Sequence, residues 1–394
     1  MRDKVIYIDQ WNFSNPPYGS GLAPLIRTSI ESSKCNFIYA GLISNKKYKL
    51  GHIQEIDYGG NNISFFPLAY TNIRSKSIVP ESIKLAWGLL KYRKDLFNIS
   101  SNIFTRSYIV VWILSLFIQK FKICYYAPGL GNPFSIGRRG IFGKILSPLF
   151  YLFQAKSFND ESVFLAAASK NDIETFENKL KIFGFKKNII YVPESVDINQ
   201  FYPIDTNRCK EYFNLNDETI IFTFVGRLAK IKGIDLLIKS FKYYSERYPN
   251  SKFLIVGDGE ERGSLEKLTS TLLLNDKIIF LGNCNLDVVQ KSICASNSCL
   301  FGSYIEGFSF AMLEILACGK PIITTRVSGT DELIIEGKTG YIVDSRDPYD
   351  FYKKMVEIVE SKHNFTDTTR KLVESNFTVS KQWELIKQNC SFLV

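Results

Sequence analysis

Residues 220–241 read IIFTFVGRLAKIKGIDLLIKSF. An apolar, β-branched and aromatic run ends at Gly226. A short loop follows with Arg227 and Lys232, then Gly233, then an amphipathic helical stretch. A buried strand that turns through glycine into a helix is the repeating step of a parallel α/β sheet. The same step recurs along the chain. Strand candidates in the first half are VIYI (5–8), NFIYAGL (36–42), ISFF (63–66), NIFT (102–105), ICYYA (123–127), VFLAAA (163–168) and IIYV (189–192). In the second half they are KFLIVG (252–257), KIIFLG (277–282), SCLFG (298–302), PIITT (321–325) and GYIV (340–343). Two series of this kind predict two doubly wound domains. The alternation lapses over 194–207, which sets domains of 1–197 and 198–377. The last stretch, 378–394, is expected to be a helix capped by Ser380 that packs back on the first domain.

Composition narrows the chemistry. The 394 residues carry a formal charge of +10, with eight cysteines and two histidines. No C-x-x-C pair occurs, so the thiols are expected to be reduced. Two isolated histidines, His52 and His363, argue against a His-dependent triad and a His-ligated metal. The opening MRDKVIYIDQW holds too short an apolar run for a signal peptide. The most apolar window, 108–118, falls short of the ~20 residues that span a bilayer and reads as a buried helix. A cytoplasmic chain is expected. Its charge is uneven: 74–156 holds 13 Lys and Arg against 2 Asp and Glu. That excess predicts an anionic partner for this stretch.

Ligands of open parallel sheets sit beyond the carboxyl ends of strands, so candidate residues are sought there. Arg227 and Lys232 can converge on a diphosphate, the one through a planar fork of donors and the other as a compact charge. Two solvated cations would look the same in isolation. In FLIVGDGEERGSL, 253–265, the spacing is G-x-G-x-x-x-G, so Gly257 and Gly259 either line a nucleotide pocket or form a plain turn. In EGFSFAMLEILACGKPII, 306–323, two glutamates stand eight positions apart in an apolar segment. Glu306 falls on a loop and Glu314 in the helix that follows. The amides of Gly307, Phe308 and Ser309 lie at the start of that helix, open to hydroxyls or a phosphate. Each carboxylate is suited to the vicinal hydroxyls of a sugar or ribose. The alternative is a solvated loop glutamate and a structural one.

Together FVGRLAKIKG, VGDGE, GSYIEGFSFAMLEILACGKPII and GKTGYIVD resemble the nucleotide-binding domain of the family 4 retaining glycosyltransferases. The likeness is strong over about 216–360 and weak in the first half. It implies the GT-B architecture: two facing Rossmann-like domains with a cleft between them. It implies a donor that is a nucleoside diphosphate sugar, UDP ranked ahead of GDP, and transfer of a hexosyl or N-acetylhexosaminyl group with retention, giving an α linkage. Arg227 and Lys232 would neutralise the diphosphate, so no cofactor and no metal is expected. Glu306 would hold donor-sugar hydroxyls, Glu314 the ribose, Gly282 would flank the base, and Gly226 and Gly257 would line the site. Gly19 and Gly21, in NPPYGSGLAPL, match a loop that approaches the donor diphosphate. They could equally form a surface turn.

Acceptor choice is expected in the first domain. CYYAPGLGNPF, 124–134, resembles a loop of polysaccharide glycosyltransferases that reads His-Gly-Leu-Gly. Gly129 and Gly131 match it, and Pro128 replaces the histidine. GRRGIFGKILSPLFYLFQAK, 137–156, sets Arg138, Arg139, Lys144 and Lys156 beside an apolar helical face, with Ser147-Pro148 expected to start a new helix. Such a face suits an anionic bilayer, where each cation contributes roughly 1 kcal/mol. It is also compatible with a core helix that has a basic rim. The expected partners are therefore a nucleotide-sugar donor, a polyprenyl-linked glycan acceptor of capsule or lipopolysaccharide assembly, and the inner face of the cell membrane. No nucleic-acid-binding pattern occurs. Three rivals remain: a dinucleotide-dependent oxidoreductase, a nucleotide-sugar epimerase and a non-catalytic nucleotide-sugar binder. The first lacks a well-spaced G-x-G-x-x-G after the first strand, and the second lacks a placed histidine.

Overall fold

The computed structural model describes residues 4–12, 36–58, 61–71, 79–118, 121–127, 129–130, 132 and 140–393. The chain divides into two α/β units between Pro193 and Glu194, and the segment from Ser380 onward joins the first.

The first unit holds eight strands: β1 (Lys4–Asn12), β2 (Asn36–Ile43), β3 (Gln54–Tyr58), β4 (Asn61–Tyr70), β5 (Asn102–Thr105), β6 (Lys122–Ala127), β7 (Val163–Ala167) and β8 (Ile190–Tyr191). Their order is β3-β4-β2-β1-β5-β6-β7-β8. All neighbours run parallel except β3 and β4. The sequence candidates do not include β3, because QEIDY lacks an apolar run. As an edge strand it needs only Ile56 inside. Side chains alternate across the sheet. Ile6, Ile38, Ile103 and Ile123 enter one core, with the helices Glu81–Lys91, Tyr108–Ile113 and Gly140–Phe158 over it. On the other face Phe37 and Phe104 meet Trp383 at ring separations of 5.6 and 5.3 Å. Trp383 belongs to the helix Val379–Asn389, which starts one residue before the expected cap at Ser380.

The 108–118 stretch is helical as expected, while the helix start at Ser147-Pro148 is corrected. The 108–118 segment is α-helical to Ile113 and then widens into a π turn, Leu114–Ile118, where Ser115 Oγ donates to the Val111 carbonyl at 2.7 Å. Pro148 does not start a helix; it lies inside Gly140–Phe158. Ser147 Oγ accepts from Asn132 Nδ2 at 2.7 Å, so it is engaged elsewhere than at a helix start. Among the described residues no helix is long and apolar enough to cross a membrane, and the seven cysteines are free thiols.

The second unit is an all-parallel sheet of β9 (Ile220–Val225), β10 (Ser251–Val256), β11 (Ile278–Gly282), β12 (Ser298–Phe301), β13 (Ile322–Thr325) and β14 (Gly340–Val343), ordered β11-β10-β9-β12-β13-β14. The helix Ile234–Arg247 buries Leu237, Phe241 and Tyr244 against Phe222 and Phe253. Strand order reverses between β9 and β12. That reversal opens a crevice at their carboxyl ends, where such sheets take ligands.

Candidate functional site

Of the residues singled out from the sequence, Gly226, Lys232 and Glu306 follow the carboxyl ends of β9 and β12, where the strand order reverses. β9 ends at Gly226, whose amide donates to the Val256 carbonyl at 3.0 Å. Gly257 follows β10 with φ +125°, and a Cβ there would stand 2.0 Å from the Gly226 carbonyl oxygen. Its amide donates to the Gly282 carbonyl at 2.8 Å. Gly282, at the end of β11, has φ +69°. Gly259 would bring a Cβ within 2.4 Å of the Leu228 carbonyl oxygen. The glycines of the G-x-G stretch thus let two loops pack backbone to backbone.

Lys232 lies in the short 3-10 turn Lys230–Lys232, and Gly233 after it adopts φ +58°. A Cβ on Gly233 would sit 2.0 Å from the Gly302 carbonyl oxygen, just past β12. This close approach carries Lys232 to the β12 edge. The Tyr304 amide donates to the Ile231 carbonyl at 2.8 Å and fastens the same two loops. As a result Lys232 Nζ reaches Glu306 Oε1 at 2.5 Å, although 74 positions separate them. Their side chains are 22% and 9% exposed, so the pair is held largely away from water. Ser303 Oγ donates to the same carboxylate oxygen at 2.7 Å, and Thr325 Oγ1 donates to the Ser303 carbonyl at 2.6 Å.

Arg346 is a site residue that sequence reading missed. Its guanidinium donates to the carbonyls of Gly302 at 2.8 Å and Ser303 at 2.6 Å, and stacks 3.6 Å from the centre of the Tyr304 ring. It therefore braces the loop that bears Glu306. No local pattern marks it, because its partners lie more than 40 positions away.

Arg227 stands apart from the Lys232 pair. Its side chain is 72% exposed and meets Glu260 at 3.0 Å. A surface pair of this kind is weak, so the guanidinium is free to turn to an anion. Gly307 is exposed, and Phe308 is buried with its ring over Gly329. Ser309 precedes the helix Phe310–Ala317 without capping it through its side chain. Glu314 lies within that helix with its side chain buried. Burial pushes its carboxyl up to about 7. Gly129 is half-buried past β6. Gly19, Gly21, Gly131, Arg138, Arg139 and the Lys144 side chain lie outside the described residues.

The arrangement offers a largely buried carboxylate–ammonium pair, an exposed second cation and an acid whose carboxyl is raised by burial. Among the described residues no group of His, Cys, Asp or Glu is placed to hold a metal ion.

The family description "Glycosyl transferases group 1" matches residues 205–376. The capsular polysaccharide biosynthesis glycosyltransferase CapM of Staphylococcus aureus is 28% identical over 223 residues, covering 53% of this chain and 54% of that one. The N-acetyl-alpha-D-glucosaminyl L-malate synthase of Bacillus anthracis is 28% identical over 207 residues, 51% and 53% of the two chains. The chain thus spans about half the length of the curated relatives it matches. Sucrose-phosphate synthase of Thermosynechococcus elongatus superposes with a TM-score of 0.75 at 18% identity over 98% of each chain. Anabaena HepE in complex with UDP does so with 0.72 at 15% identity, over 98% of this chain and 99% of that one. The fold is that of GT-B glycosyltransferases.

Proposed function

Since residues 205–376 form a group 1 glycosyl transferase domain, we propose that the protein is a retaining glycosyltransferase. It moves a hexosyl or N-acetylhexosaminyl group from a nucleoside diphosphate sugar, UDP ahead of GDP, onto a lipid-linked glycan in cell-surface polysaccharide assembly. The observation that carries this reading is the Lys232–Glu306 pair at the crevice where the strand order reverses. Arg227 and Lys232 balance the diphosphate without a metal ion. As the bond from the anomeric carbon to the phosphate oxygen breaks, its electron pair goes to that oxygen, and both cations stabilise the charge. The acceptor oxygen bonds to the anomeric carbon on the same face and gives an α linkage. Its proton passes to the departing phosphate. Glu306, already oriented by Ser303 and Lys232, accepts from hydroxyls of the transferred sugar. Glu314, buried in the helix Phe310–Ala317, accepts from the ribose.

The membrane belongs to the same proposal. The helix Gly140–Phe158 exposes Leu149, Leu152, Phe153 and Lys156 on one stripe, and the helix Glu81–Lys91 exposes Ile83 and a 75%-exposed Trp87 beside Lys91. Apolar stripes edged by cations in a basic segment suit the anionic inner leaflet. CapM is named for capsular polysaccharide biosynthesis, which fits a surface-glycan role.

The test is melting with UDP, GDP and ADP, followed by release of nucleoside diphosphate from the matching sugar nucleotides in the presence of extracted membrane lipids. The expected result is stabilisation by one nucleotide and turnover that Glu306→Ala and Lys232→Ala abolish. Stabilisation by none and turnover of none would overturn the proposal.

A further inference from the structure

The loop that bears Glu306 is held from two other strand ends. Ser303 is the second residue past β12, Thr325 is the last residue of β13, and Arg346 follows β14. The Ser303 carbonyl accepts from Thr325 Oγ1 at 2.6 Å and from the Arg346 guanidinium at 2.6 Å. A carbonyl oxygen has two lone pairs, so both are used and the peptide is fixed. The Gly302 carbonyl takes the other arm of Arg346 at 2.8 Å. From that fixed peptide the Ser303 hydroxyl donates to Glu306 Oε1 at 2.7 Å, where Lys232 Nζ arrives at 2.5 Å. Ser303 is fully buried and Thr325 is 3% exposed. A buried hydroxyl costs free energy unless it is hydrogen-bonded. Both hydroxyls are bonded, and both bonds lead to Glu306.

Two donors on one oxygen decide how the carboxylate is presented. Glu306 Oε1 spends both lone pairs on Lys232 and Ser303, so a further donor is directed to Oε2. We propose that Ser303 and Thr325 are positioning residues of the transfer. Thr325 fixes the Ser303 peptide, Ser303 turns Glu306, and Glu306 Oε2 receives a hydroxyl of the donor sugar. UDP alone brings no such hydroxyl to Glu306. The two residues therefore act on the sugar end of the donor and leave the diphosphate end alone. The inference deepens the glycosyltransferase reading and rests on it.

Calorimetric titration of the full chain with UDP, UDP-glucose, UDP-galactose and UDP-N-acetylglucosamine separates the two ends. The wild type should bind UDP and at least one of the sugar nucleotides. Ser303→Ala removes a hydrogen bond to a charged group and should weaken that sugar nucleotide about tenfold to a hundredfold. Thr325→Val keeps the side-chain shape, loses one neutral hydrogen bond and should weaken it about threefold to tenfold. UDP affinity should be unchanged in both. Thr325→Ser keeps the hydroxyl and should restore wild-type affinity. Thr325→Val should have a smaller effect on top of Ser303→Ala than in the wild type, because it acts through Ser303. Thr325→Val keeps the test valid if Ser303→Ala fails to fold. Wild-type sugar-nucleotide affinity in the variants, an equal loss for UDP, or no recovery in Thr325→Ser would each overturn the assignment. Failure of the wild type to bind UDP, or to bind any of the three sugar nucleotides, would instead count against the glycosyltransferase reading.

Discussion

Gly233→Ala tests how the backbone builds the site. Two costs follow from the structure. A side chain at φ +58° occupies the left-handed region, which costs about 1–2 kcal/mol. The new Cβ would also lie 2.0 Å from the Gly302 carbonyl oxygen, a backbone atom that Arg346 and β12 hold in place. Forcing it aside adds about 1–3 kcal/mol, so the total is about 2–5 kcal/mol. Gly337→Ala is the control. Its φ is +71°, but the nearest atom to a Cβ is the Tyr341 hydroxyl at 3.8 Å, so only the backbone term of about 1–2 kcal/mol applies. At roughly 2–4 °C per kcal/mol for a unit of this size, Gly233→Ala should lower the UDP-responsive melting transition by about 4–20 °C, against about 2–8 °C for the control. Gly233→Ala should also weaken UDP binding, because the clash separates Lys232 from Glu306, whereas Gly337→Ala should not. Differential scanning calorimetry with and without UDP reads both. Equal shifts and equal UDP affinity in the two variants would refute the close-approach argument.

Glu314 predicts a pH effect of definite sign. Its carboxyl is raised from 4.5 to about 7, so the folded second unit binds the extra proton. Its contribution, about 3 kcal/mol, is full below about pH 4.5 and is lost as pH rises through about 7. Glu314→Gln should flatten that part of the stability profile, and UDP binding near pH 6.5 should release a proton in the wild type but not in the variant. Trp383→Ala removes a nearly buried ring packed on Phe37 and Phe104 and should destabilise the first unit by about 3–5 kcal/mol in urea titration. Sedimentation should show binding to anionic but not neutral liposomes, release by salt, and loss in Leu149→Asp/Phe153→Asp; equal partition to both would refute the membrane contact.

The second sheet was legible because its strands are continuous apolar runs ended by glycines that the backbone geometry requires, as at Gly226 and Gly257. The order of elements also placed Lys232 and Glu306 at strand ends. That they touch was not legible, because the contact depends on Gly233 meeting Gly302 and on Arg346, which comes far later in the chain. The first sheet was less open to reading. β3 pairs through backbone with little apolar content, and Pro148 sits inside a helix that its sequence argues against.

The central claim is that a nucleoside diphosphate is held at the β9–β12 crevice by Arg227 and Lys232. Calorimetric titration of UDP into the wild type, each single alanine variant and the double variant measures this directly. Two charge-assisted contacts predict at least about 100-fold weaker binding in the double variant. Unchanged affinity in the folded double variant would contradict the account.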